Sequence, residues 1–131
     1  ARVNIVVSYD ESTDTGLLDV LPAGADKLQA LRFLIEREDL DPERAVFAGD
    51  SGNDLAVLTS ELRSTLVANA QPAVRAAAVA GARASGWPQR LYLARGGFVA
   101  MNGNYAAGAL EGLVHHLPES EEWIRSARAA M

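Results

Sequence analysis

Cysteine is absent from the 131 residues, which excludes disulfides and thiolate metal sites without identifying a compartment. Histidine is nearly absent too: the two present stand side by side at 115 and 116, so a zinc-type site gets little support. Positive charge is in short supply. Twelve Lys and Arg face 17 Asp and Glu, for a net charge of −5 and a sequence pI near 4.9. That balance argues against nucleic acid or an anionic membrane held through a general positive field. No apolar run approaches the roughly 20 residues that span a bilayer, and no basic stretch leads into an apolar one as in a signal peptide. With neither anchor nor signal visible, cytoplasm is the default location. Low-complexity tracts and internal repeats are also missing.

What remains is a globular composition, 49% apolar and 22% charged. At this length a single domain can bury roughly 70% of its unfolded surface. The chain starts at Ala1 without an initiating Met and enters a strand within two residues, so the expectation is a sequence that opens inside a larger protein.

Arg2 to Tyr9 carries Val3, Ile5, Val6 and Val7 and reads as a strand, Asp10 to Gly16 as a turn, and Leu17 to Leu21 as a second strand, a candidate hairpin. A helix is expected over Ala25 to Glu38, with Leu28, Leu31, Leu34 and Ile35 on one face. Asp39-Leu40-Asp41 precedes a strand and is followed by Pro42, so it reads as a loop. Ala45 to Ala48 is a short apolar run expected as a buried parallel strand. A brief helix follows from Asp54, then a strand over Ser64 to Ala68 and an Ala-rich helix from Pro72 to Arg83. Ala82 to Pro88 reads as a loop and Leu91 to Ala94 as the last strand. The final helices are expected at Tyr105 to His116 and Glu119 to Ala130. The first would pack through Ala106, Leu110, Leu113, Val114 and Leu117, with Gly108 and Gly112 allowing close approach to the sheet. His115 and His116 are adjacent and cannot share one ligand geometry; they read as surface or capping residues. Strands alternating with helices predict an α/β fold with a parallel sheet.

The chain is organised around Gly49-Asp50-Ser51-Gly52-Asn53-Asp54, at the carboxyl end of the expected buried strand. Asp and Asn beside Gly are ordinary turn formers, and Asp54 ahead of an apolar helix is a good N-cap. The full hexapeptide after a buried strand is more specific. Its glycines are expected to let the backbone turn tightly, so that the Asp50 and Asp54 carboxylates converge at the rim of an open sheet. Magnesium suits that arrangement, since it prefers oxygen ligands, keeps waters, and is usually held by one or two carboxylates plus a substrate phosphate. Lys27, in the first turn of its helix, sits at the end the helix dipole disfavours. It is either a solvated side chain partly offset by Asp26 or an ammonium that adds a point charge where a helix start already attracts phosphate. Asn69, at the end of a strand, is either a turn former and cap for the following helix or a residue that orients the loop or a phosphate.

Gly49 to Asp54 after a strand, with Lys27 on a helix upstream, resembles the fourth and third signature motifs of the haloacid-dehalogenase-like phosphohydrolases. The tail Gly108-Ala109-Leu110-Glu111-Gly112-Leu113-Val114-His115-His116 is similar to the end of the sucrose-phosphate phosphatase branch. That resemblance implies a Rossmann-like doubly wound core, incomplete here and covering residues 22 to 131, with residues 1 to 21 as the end of an α/β cap. It also implies a sugar-phosphate phosphatase that works through an aspartyl-phosphate, with Mg²⁺ held by Asp50 and Asp54. Lys27 would engage nucleophile and phosphate, Ser51 and Asn53 would shape the loop, and Asn69 would lie beside the phosphate. Leu28 stands where relatives commonly carry Gly. The nucleophile pair and the phosphate-binding Ser or Thr of these enzymes are expected upstream of the cap, outside this sequence. The chain alone would then be inactive, and a fused sugar-phosphate-synthesising glycosyltransferase is one arrangement the resemblance allows. A non-catalytic regulatory or interaction domain is the alternative. A receiver-like signalling domain fits less well, because it has no Ser-Gly-Asn-Asp continuation.

Overall fold

A computed structural model describes residues 2–10 and 12–130. Two sheets form. The strands β1 (Val3–Asp10) and β2 (Thr15–Pro22) pair antiparallel, with Ile5 opposite Val20 and Val7 opposite Leu18. In an antiparallel pair directly opposed residues share a face, so Val3, Ile5, Val7, Leu18 and Val20 make an apolar stripe, each of them at least 57% exposed.

The second sheet is parallel, in the order β3 (Val46–Gly49), β4 (Arg63–Leu66), β5 (Leu91–Leu93). Side chains alternate across β4. Leu66 joins Leu58, Ala70 and Ala78 on one face, under α2 (Leu55–Leu58) and α3 (Pro72–Ala84). Thr65 and Val67 face the opposite way, toward α4 (Tyr105–His116). Helices therefore cover both faces, as a doubly wound parallel sheet requires. β4 is the centre and is fully buried at Ser64, Thr65 and Leu66. β3 was expected to be buried but is only half-buried, because among the described residues it has one neighbouring strand and its other edge is open.

Several boundaries depart from expectation for local reasons. The first helix, α1, spans Lys27–Arg37 rather than starting at Ala25, because Asp26 is its N-cap and accepts from the Gln29 N–H at 2.8 Å. Leu28, Leu31 and Ile35 are half-buried on its inner face, whereas Leu34 is exposed. β4 stops at Leu66, although Val67 N–H still donates to Gly49 O. Helix α3 runs to Ala84, one residue past the expected Arg83, and Gly81 within it packs against Thr59 with no room for a Cβ. The last helix, α5, spans Ser120–Ala129. Among the described residues no helix is long and apolar enough to cross a membrane.

Helix α4 has the expected span but a different buried face. Gly108, Glu111 and Gly112 are its buried residues, and the leucines flank them half-exposed. The two glycines decide this, since a Cβ at Gly112 would overlap the Thr65 side chain and one at Gly108 would overlap Gly103 O and crowd Val67. Gly112→Ala is therefore expected to destabilise the chain by about 1–3 kcal/mol, because a buried strand must shift to admit one methyl group. A thermal melt followed by circular dichroism should fall by several degrees, on the order of 3–6 °C per kcal/mol at this size; an unchanged melt would show that the helix simply lifts off.

The other end of α4 is tied down by its histidines. His116 is half-buried with Nε2 2.9 Å from Ser64 O, and its own carbonyl accepts from Arg63 at 2.7 Å. Burial, with Arg63 and Arg90 nearby, pushes His116 below its usual pKa, so the neutral ring donates Nε2–H to that carbonyl. The His115 ring stacks on Tyr92 at 4.0 Å. Both histidines thus fasten the helix to the sheet.

Candidate functional site

β3 ends at Gly49 and delivers Asp50 to the carboxyl rim of the sheet, where ligands of open α/β folds bind. The chain then closes a single 3₁₀ turn over Gly52–Asp54. Asp54 holds this loop together. Its Oδ2 accepts from the backbone N–H of Asp50 at 2.9 Å and of Ser51 at 3.1 Å, and the residue is 3% exposed. The two loop glycines, expected to let the backbone turn tightly, are needed for space, and neither has a positive φ. A Cβ on Gly49 would lie 2.5 Å from Asp54 Oδ2, and one on Gly52 would lie 2.6 Å from Val7 O of β1.

Lys27 reaches this loop from the first turn of α1. Its Nζ donates to Asp54 Oδ1 at 2.6 Å and to Asn53 Oδ1 at 2.9 Å. An ammonium carries three donors, so one remains for another acceptor, and the Lys27 side chain is 47% exposed. Asp26, which was expected to offset Lys27, caps α1, and Lys27 pairs instead with a carboxylate 27 residues away. Ser51 Oγ also donates to Asn53 Oδ1, at 2.6 Å.

The two aspartates consequently differ. Both carboxylate oxygens of Asp54 are occupied by donors from its own loop and from Lys27. Asp50 is exposed, and among the described residues none donates to its carboxylate. They do not converge as two equivalent open ligands, because the short turn draws Asp54 inward onto the backbone. Among the described residues no group of three or more His, Cys, Asp or Glu is placed to hold a metal ion. One open carboxylate at a strand end nevertheless fits the way Mg²⁺ is usually held, by one or two carboxylates with waters and a substrate phosphate completing the shell.

A cavity of about 520 Å³ opens between β1 and the loop, with Asp50, Ser51, Gly52, Asn53 and Asn69 along its core side. Asn69 does not cap α3. The N-cap there is Gln71, and Asn69 Oδ1 instead accepts from Tyr105 N–H at the start of α4, at 2.8 Å.

Glu111 was missed as a key residue. Buried in α4, it accepts from Tyr92 OH at 2.8 Å and Arg95 N–H at 2.8 Å through Oε1, and from Gly96 N–H at 2.9 Å through Oε2. It pins the segment that leads from β5 to Asn69's partner Tyr105. A lone acid between two glycines on a helix of positive mean hydropathy was the available signal, since a buried charge needs partners.

The description of the sucrose-6F-phosphate phosphohydrolase family matches residues 2–117, a span that includes every residue of this site. The chain belongs to that family. Within the wider group of haloacid-dehalogenase-like (HAD) proteins, it is 50% identical over 127 residues to a HAD-like hydrolase of Nitrosococcus oceani, covering 97% of this chain and 34% of the relative. A kanosamine-6-phosphate phosphatase of Bacillus subtilis is 38% identical over 53 residues, which are 40% of this chain and 19% of that protein. The fold superposes with a TM-score of 0.64 on a sucrose-phosphatase from Synechocystis sp. PCC6803 solved with sucrose and phosphate, at 25% identity over 87% of this chain and 40% of that one. The phosphohydrolase-family chain thus spans about a third of the length of the curated relative it matches from end to end.

Proposed function

We propose that this chain is the carboxyl-terminal part of a Mg²⁺-dependent sugar phosphatase, and that a nucleophilic aspartate from outside these residues completes its active site. The observation that carries this is the pairing at the mouth of β3: an open carboxylate, Asp50, stands on the loop that an ammonium, Lys27, reaches from α1, and among the described residues one Lys27 donor has no acceptor. One group suits a hard cation and the other suits a phosphoryl oxygen. Magnesium, when bound, would neutralise phosphoryl charge. The remaining donor of Lys27 would hold a phosphoryl oxygen, and its charge would favour the incoming carboxylate, while Asp54 fixes the Lys27 ammonium in place.

The reaction in this reading is displacement at phosphorus by the external aspartate with departure of the sugar alcohol, then hydrolysis of the aspartyl-phosphate by water. The open edge of β3 is the place where a further parallel strand would bring that aspartate beside Asp50. The exposed apolar stripe of the hairpin likewise presents a surface that more polypeptide would cover. A phosphorylated sugar of the kind named by the family and by the kanosamine-6-phosphate phosphatase is the substrate class this reading favours.

The test is a phosphate-release screen of the longer parent protein over phosphosugars, with Mg²⁺ and with a chelator. Release that depends on Mg²⁺ is expected, together with none from the 131-residue chain alone. Turnover by the isolated chain would remove the need for an outside nucleophile. A parent inert toward every ester would favour a regulatory domain that keeps only the fold.

A further inference from the structure

We infer that Asn69 is a specificity-determining residue, whose amide nitrogen donates a hydrogen bond to a hydroxyl oxygen on the sugar half of the substrate; this rests on the phosphatase reading above. The orientation of an amide is settled by its partners. Asn69 Oδ1 sits 2.8 Å from Tyr105 N, and a backbone N–H can only donate, so the oxygen must face Tyr105 and the NH₂ must face away. Among the described residues the NH₂ group has no acceptor, and Asn69 lines the 520 Å³ cavity beside Asp50. The lock is tight on both sides. Tyr105 has φ +47°, a left-handed conformation that an aromatic residue adopts only when its surroundings hold it there. Asn69 supplies that hold, and Gly103 O, which accepts from Ala68 N–H at 2.9 Å, fixes the same segment next to it.

The chemistry of the cavity says which part of a phosphate ester reaches Asn69. Among the described residues no lysine or arginine lines it, and Lys27 bonds to Asn53 and Asp54 without joining the lining. Its walls are neutral hydrogen-bonding groups such as Ser8, Ser12 and Gln71, with Tyr9 and Val74 adding apolar surface. Of its carboxylates, Asp10 is already engaged by the Ser12 N–H and hydroxyl. Away from Asp50, a dianionic phosphoryl group finds no counter-charge on these walls, whereas a polyol finds donors and acceptors there. The phosphoryl group therefore belongs at the Lys27 and Asp50 end and the sugar at the Asn69 end.

Asn69→Asp in the full-length parent separates these roles. The carboxylate has the shape of the amide and still accepts from Tyr105 N–H, so the fold is kept, but the donor facing the cavity becomes an acceptor. The expected result is a rise in KM of about tenfold or more for the best phosphosugar, the loss of one matched hydrogen bond with kcat little changed. With p-nitrophenyl phosphate, which has no sugar hydroxyls, the added charge acts on the phosphoryl group alone, and the loss in kcat/KM should be at least about threefold smaller than with the phosphosugar. Equal losses on both substrates would place Asn69 at the phosphoryl group and overturn the inference, as would unchanged kinetics on both. In either case the parent's own phosphosugar turnover would leave the phosphatase reading standing, whereas a parent without turnover on any ester sinks both.

Discussion

Replacing Glu111 with leucine is expected to destabilise the chain by about 3–5 kcal/mol, a large share of the roughly 5–15 kcal/mol that holds a domain together. Leucine fills similar space but accepts nothing, so Tyr92 OH and the N–H groups of Arg95 and Gly96 lose their acceptor together. Glutamine should fall between, because it keeps one carbonyl oxygen while turning an NH₂ group toward a donor. Thermal melts of the two variants against the parent chain measure this, with a drop of more than about 10 °C expected for leucine. The pH dependence carries a second signature. Burial alone would raise the Glu111 pKa, but the hydrogen bonds from Arg95, Tyr92 and Gly96 outweigh it and hold the carboxyl below its usual value. A depressed carboxylate contributes stability above the ordinary glutamate range, near pH 4.3, and loses it as pH falls through the folded value. The gap between parent and Glu111→Gln should accordingly close below about pH 4. A gap that stays constant into acid would mean that Glu111 acts through packing alone.

The same residue shows where the sequence stops being legible. Helix α4 was readable from end to end because Tyr105 to His116 is long and apolar, and its glycines announced close approach to the sheet. Which side chain faced inward was not readable: periodicity pointed to the leucines, while the partners of Glu111 lie on a loop and a strand 15 to 19 residues away. The loop from Gly49 to Asp54 was recognisable as a unit, and its position after β3 followed from the apolar run before it. The unlike surroundings of its two aspartates could not be read, because they depend on Lys27 arriving from another helix and on a turn short enough for Asp54 to cap its own backbone. Asn69 was readable either as a cap for the helix that follows it or as a residue orienting the loop or a phosphate, and its oxygen holds the start of a helix 36 residues later, a partner no local pattern announces. Local propensity finds the elements, but which polar groups meet is decided by the way the elements pack.

Asp50→Asn in the full-length parent is expected to lower phosphate release by about 100-fold or more, since a positioned cation offers several kcal/mol of transition-state charge stabilisation and each tenfold is 1.36 kcal/mol. Stability should barely move, within about 0.5 kcal/mol, because the Asp50 side chain is exposed and without a donor among the described residues. Asp54→Asn predicts the opposite mixture. Its NH₂ group would face backbone donors or the Lys27 ammonium, so the loop loosens, the melt falls, and activity is lost through misplacement of Lys27 and Asp50 together. The Mg²⁺ dependence tells these losses apart. If Asp50 is the carboxylate that meets the cation, its variant should need far more Mg²⁺ for half-maximal rate, and added Mg²⁺ should recover part of the activity. The Asp54 variant should instead keep a Mg²⁺ requirement close to the parent's at a lower plateau. Equal shifts in Mg²⁺ requirement for both variants would show the two carboxylates acting as a ligand pair, and the division of labour drawn from their hydrogen bonds would then be wrong.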